Sequence, residues 1–258
     1  MKIRIKFAKY GTMKFIGHLD TMRFFQKAIR RADIDIKYSE GFSPHQIMSF
    51  AAPLGVGIES AGEYLDIEVN SYTSTELMKQ ALGRVMVDGM EILSVKVLPD
   101  TVKNAMASVA AAGYQISGSK NCLDQINGTE TADLFAVENL AQKLEAFCAQ
   151  EQIPVTKQTK KSTIELDLKP AIYELSLKET PSPFMGGEDA ALKTTAIYML
   201  VNASSSGNIK PSMVLNALCD FCKIPFTLQA YRITRLETYT SAEDAFIPLE
   251  DVGQDAAM

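Results

Sequence analysis

The opening strand restricts the fold more than any other stretch of this chain. Residues 2–7 alternate without exception, with Lys2, Arg4 and Lys6 on one side and Ile3, Ile5 and Phe7 on the other. A period of two is the pattern of a strand with one apolar face to bury. The period then changes to 3.6. Over residues 19–33, Met22, Phe25, Ala28, Ile29 and Ala32 share one helix face, and Arg23, Lys27, Arg30 and Arg31 lie opposite. A strand near 46–51 follows, then a strand over 63–69 with Leu65, Ile67 and Val69 inward. A helix over 75–86, started by Ser74 or Thr75, and a strand over 91–97 complete the order βαββαβ, the ferredoxin-like plan.

The second half repeats this order more loosely. Strands are expected near 113–117, 153–158, 163–168, 172–178, 195–203 and 227–238, and helices at 132–150 and 211–222. Pro181, Pro183, Gly186 and Gly187 mark a loop over 180–191. The expected fold class is α+β, with tandem ferredoxin-like units and antiparallel sheets. The first unit spans 1–98, a partly helical connector 99–112, the second unit 113–240, and an acidic tail 241–258. That tail holds five acids and no Lys or Arg, and is expected to fray.

Charge is distributed unevenly. Residues 1–50 carry 10 Lys/Arg and 4 Asp/Glu, a net of +6; the other 208 carry 16 and 27, a net of −11, which together give −5. Such polarity offers one region to a polyanion. There is no apolar run of a length to span a membrane, and MKIRIKFAKY lacks the apolar centre of a signal peptide. A cytoplasmic location is expected. Cys122, Cys148, Cys219 and Cys222 show no disulfide-rich spacing, and the lone C-x-x-C at 219–222 lacks the second pair of a metal site.

Three groups of residues are candidates for chemistry. On the face of the sheet away from the helices, Lys2, Arg4 and Lys6 either track phosphates or are neutralised by Tyr64, Asp66 and Glu68 across the strand pair. The helix stripe Arg23, Lys27, Arg30 and Arg31 stands near a turn carrying Tyr38, Phe42, Ser43 and His45, a mixture of cations and flat rings that suits single-stranded RNA. Gly41 lets that turn bend close to a ligand. His18, Asp20 and His45 are the candidate acid–base groups, although Asp20 also reads as the helix N-cap. No H-x-x-x-H spacing or iron–sulfur cysteine motif is present, and no metal or other cofactor is expected.

At these residues the chain resembles the radical-SAM-associated proteins, a bacterial domain of unknown function fused to or encoded beside a radical SAM protein. The resemblance rests on KIRIKFAKYGTMKFIGHLD, Arg23, the AIRRADIDIKYSEGFSP run, SFAAPLGVGIES and Glu63-Tyr64-Leu65-Asp66. AMASVAAAGYQI at 105–116 and RITRLETY at 232–239 extend it over nearly the whole chain. Gly17 stands where the family usually has serine, and His45 where many relatives have another residue.

The resemblance implies a radical SAM partner that carries the cluster chemistry, and a genomic neighbourhood that leans toward RNA. The expected function is therefore an accessory subunit that binds RNA and presents it to that partner. Arg4, His18, Arg23, Lys27, Arg31, Tyr38, Phe42, Ser43 and His45 are its expected binding residues. The alternatives are a metal-independent RNA endonuclease with His18 or His45 as general base, by analogy of fold with CRISPR repeat-processing enzymes, and a pure protein–protein adaptor.

Overall fold

The computed structural model describes residues 1–118, 134–158, 163–181, 183–184, 193–243 and 245–256. It is a mixed α+β fold, mostly antiparallel with some parallel pairing. The chain divides into two compact units, Met1–Ala111 with Arg235–Met258, and Ala112–Thr234.

In the first unit, β1 (Lys2–Lys9), α1 (His18–Arg31), β2 (Met48–Phe50), β3 (Glu59–Glu68), α2 (Thr75–Gly83) and β4 (Met90–Leu98) follow in the order the sequence pattern predicts. The 99–112 connector contains a one-turn helix, α3 (Ala105–Ser108). β1 lies between β3 and β4, antiparallel to both, with Ile5 opposite Leu65 on one side and Val95 on the other. β2 pairs with the end of β3, Met48 opposite Ile67. Ile3, Ile5, Phe7, Leu65, Ile67 and Val69 form the core with Phe25 and Ile29 of α1 and Met78 and Leu82 of α2. The rings of Phe7, Phe25 and Phe50 pack with centroids 4.6–6.2 Å apart. Ser74 caps α2, its hydroxyl accepting from the Leu77 N–H.

The other face of this sheet is covered too. After β10 (Tyr231–Ala242), the chain forms β11 (Ala245–Pro248), a 3-10 turn (Leu249–Val252) and a bridge from Gln254 to Val97. Leu249 is buried on this face. The Arg4 guanidinium donates to its carbonyl, and Lys6, Ser94 and Lys96 bond Glu250 or Asp255. The tail expected to fray is therefore a strap fixed by its acids. The acid-rich terminus thus becomes the partner of Lys6, Ser94 and Lys96, a pairing of residues far apart in the chain. The expected second unit ran to residue 240, whereas residues 235–258 belong to the first.

Gly62 fixes the approach of β10 to β3. A β-carbon there would lie 2.5 Å from the Glu237 Cα. Only glycine admits this backbone contact.

The second unit contains β5 (Ala111–Gly118), α4 (Leu140–Cys148), β6 (Pro154–Gln158), β7 (Thr163–Asp167), β8 (Ile172–Pro181), β9 (Lys193–Asn202) and α5 (Pro211–Cys222). β9 sits between β5 and β8, while β6 and β7 form a separate two-stranded sheet. A repeat of the first unit's plan is not confirmed. Leu134, Leu144, Phe147, Ile197, Met199, Val201, Val214 and Leu218 are among its buried apolar residues. Of the helix expected at 132–150, residues 140–148 are helical after a 3-10 turn at 134–136, and 132–133 lie outside the described residues. Most of the expected 180–191 loop and Cys122 also lie outside them.

Candidate functional site

The candidate surface is α1. Its apolar stripe is committed to the core, because Phe25, Ala28 and Ile29 are buried. The 3.6 period then forces Arg23, Lys27, Arg30 and Arg31 outward, and all four are exposed. Arg30 and Arg31 lie in the last turn, where the helix dipole favours cations.

The expected cap is corrected. Gly17 is the N-cap, with no side-chain hydrogen bond, and the helix begins at His18. Asp20 therefore falls in the first turn rather than before it. Its carboxylate is 64% exposed and lies 3.3 Å from Arg23 Nη1.

The turn at 38–46 stands beside this helix. Tyr38 and Gln46 form a β-bridge, and Ser39 N–H donates to the His45 carbonyl at 2.8 Å. Gly41 has φ +111°, a conformation side chains rarely adopt. Phe42 is fully exposed at the tip, and Tyr38, Ser43 and His45 are exposed as well. His45 Nδ1 lies 2.8 Å from Ser39 Oγ and 3.4 Å from the Ser43 carbonyl, so its imidazole braces the turn. Gln46 Nε2 donates to the Gln26 carbonyl of α1 at 3.3 Å, which ties the aromatic turn to the basic helix.

His18 is placed differently from His45. It is half-buried, its ring edge-on to Phe50 at 5.3 Å. With Phe7, Lys9, Thr21, Phe50, Leu54 and Glu63 it lines a small cavity of about 10 Å³, room for no more than a water. Lys9 is buried and donates to the Ile16 carbonyl at 2.7 Å. Burial pushes its pKa below the usual lysine value; the Glu63 charge opposes this and Arg235 adds to it. Glu63 accepts from Arg235 at 2.8 Å and from Ser60 at 2.6 Å. The sequence pattern gave no signal for this group, because Arg235 meets Glu63 across 172 positions.

The strand cations do not form an open row. Arg4 is fully buried, held by both oxygens of Asp66 and by the Leu249 carbonyl. Its expected role at a ligand is corrected: every contact it makes is internal. Lys6 is bonded to Glu237 at 2.6 Å and Glu250 at 2.5 Å, and Tyr64 donates to Glu237 at 2.7 Å. Burial works against the Lys6 ammonium, but its two carboxylates outweigh this and raise its pKa. Burial and the Glu237 charge push the Tyr64 phenol far above its usual range. Of the ten cations in residues 1–50, Arg4, Lys6, Lys14 and Lys37 thus pair with acids beyond residue 50. These pairs neutralise part of the +6 excess, Arg4 and Lys6 largely away from solvent and Lys37 at the surface. What stays on the surface is concentrated on α1.

Among the described residues, no group of three or more His, Cys, Asp or Glu side chains is placed to hold a metal ion. No described helix is long and apolar enough to cross a membrane. Cys148, Cys219 and Cys222 are free thiols.

Residues 2–211 match a family described as uncharacterized proteins conserved in bacteria, DUF2344. The chain belongs to this family. No curated protein matches it. The matched span includes α1, the aromatic turn and the His18 cavity.

Proposed function

We propose that the first unit is a non-catalytic binding module for single-stranded RNA. One observation carries this reading: four exposed cations on α1 stand beside an exposed aromatic turn that a hydrogen bond ties to the same helix. Arg23, Lys27 and Arg31 supply the electrostatic contacts, while Phe42 and Tyr38 supply faces for bases to stack on. Arg4 is left out of the set, because it has no exposed surface. Residue resemblance supports a radical SAM protein as the partner to which the RNA is presented, and a ferredoxin-like plan for the units. The endonuclease alternative is weaker. His18 lines a cavity too small for a phosphate, and His45 bonds its own turn.

The test is the affinity of the full chain for labelled single-stranded RNA. Arg23, Lys27 and Arg31 changed together to Glu should abolish binding, and Phe42→Ala should weaken it by about 1–3 kcal/mol. An unchanged affinity in both variants would leave the stripe as a solvated helix face.

A further inference from the structure

The second unit carries a groove that the RNA reading does not use. It lies between α5 and β6 and encloses about 680 Å³. Its floor is apolar, with Phe147, Met213 and Phe226, and Phe221 and Leu228 stand exposed at its rim. Such a volume is within the range of ligand-binding sites.

The other wall is a strand seen edge-on. Ile153, Pro154, Val155 and Thr156 all line the groove. Side chains along a strand alternate between faces, so consecutive residues reach one cavity only when it runs along the strand's edge. β6 pairs with β7 on one side, and among the described residues no strand pairs with its other side. The register shows which groups point outward. Leu168 N–H donates to the Ile153 carbonyl, so Ile153 bonds toward β7. The alternation of an antiparallel pair then sends Val155 inward to Leu166 as well, and turns the Pro154 carbonyl and both backbone groups of Thr156 outward. Proline cannot donate from an edge position, which limits pairing of this edge with copies of itself.

Among the described residues, Asp220 is the only charged one lining the groove. It is exposed, and its carboxylate receives Asn216 at 3.3 Å.

We propose that this groove binds an extended segment of a partner protein, which adds as a strand to the outer edge of β6. An apolar side chain of the segment sinks onto Met213, Phe221 and Phe226, and a basic side chain meets Asp220. Main-chain hydrogen bonds to Thr156 supply affinity, and the apolar pocket and the carboxylate supply selectivity. This site is independent of the RNA surface and stands or falls separately.

The experiment selects binders from a displayed library of random nine-residue peptides against the full chain. The expected winners combine a large apolar residue with Lys or Arg. Thr156→Pro removes the outward N–H at an edge position that tolerates proline, and should weaken them at least tenfold. Asp220→Lys is on the exposed face of α5 and should reverse the charge preference of newly selected peptides. Unfolding midpoints of both variants report whether the fold survives. A library that yields no binders overturns the proposal. So do binders whose affinity is unchanged by Thr156→Pro and whose charge preference is unchanged by Asp220→Lys.

Discussion

Arg4 and Asp66 are locked together by two parallel hydrogen bonds, 2.8 Å from Nε to Oδ1 and 2.9 Å from Nη2 to Oδ2, in the middle of a sheet covered on both faces. The third contact, Nη1 to the Leu249 carbonyl, joins this pair to the C-terminal strap. The fork of a guanidinium matches a carboxylate in this geometry, which lysine cannot reproduce.

Removing one partner should leave a buried charge with no counterpart. Asp66→Ala is expected to destabilise the chain by about 3–5 kcal/mol, whereas Arg4→Met with Asp66→Leu should recover most of that loss. Urea unfolding of the three variants measures both effects. A mild single-variant loss would mean that water reaches Arg4.

The strap should respond to acid. Burial works against the Glu250 carboxylate, but hydrogen bonds from Lys6 and Ser94 outweigh it and lower its pKa from the ordinary 4.5. A depressed carboxylate contributes stability above its unfolded value, and that contribution is lost as pH falls through the folded value. Lys6, raised from 10.5, contributes below its unfolded value and loses its contribution as pH rises through the folded one. Protection of the 245–255 amides, the observed exchange rate relative to the intrinsic rate at the same pH, should therefore fall below about pH 4.5, and Glu250→Gln should remove this acid response. An acid profile identical in the variant would contradict the role given to Glu250.

Asp20 and Gly17 give a paired test of the corrected cap. Asp20 acts only through the helix dipole and an exposed contact with Arg23, so Asp20→Ala should cost no more than about 0.5 kcal/mol. Gly17 has extended dihedrals and open space around its Cα, so Gly17→Ser should add a few tenths of a kcal/mol, roughly the difference between these caps. Shifts in the urea midpoint decide both. A large loss on Asp20→Ala would restore Asp20 as the cap.

Gly62→Ala should be among the most damaging small substitutions. The new methyl meets backbone atoms of Glu237, which cannot rotate away as a side chain would. A loss of about 3 kcal/mol or more is expected, and a thermal melt reads it. A neutral result would show that β10 shifts freely against β3.

The elements of the first unit were legible because each has a clean period. Alternation over 2–7 gave β1, the Phe25–Ile29 spacing gave α1, and Ser74 marked the start of α2. The second face of the sheet was not legible. Alternation left Lys2, Arg4 and Lys6 either tracking phosphates or neutralised across the strand pair; Arg4 does pair with Asp66, but local alternation cannot reveal that Leu249 and Glu250 return to contact Arg4 and Lys6. For the same reason, the charge of residues 1–50 overstated the free cations. The α1 stripe was legible and remains exposed, whereas the Lys9, Glu63 and Arg235 cluster depends on contacts that no short motif encodes.

Whether α1 binds RNA through its cations is decided by the salt dependence of RNA affinity. Each phosphate neutralised by a cation contributes about −0.7 to the slope of log K against log salt for a single strand. A steep slope is expected for the full chain. Changing Arg23, Lys27 and Arg31 singly to Ala should reduce its steepness by about 0.7 each. A slope near zero, or one that none of the three substitutions alters, would contradict the assignment of α1 as an RNA-binding face.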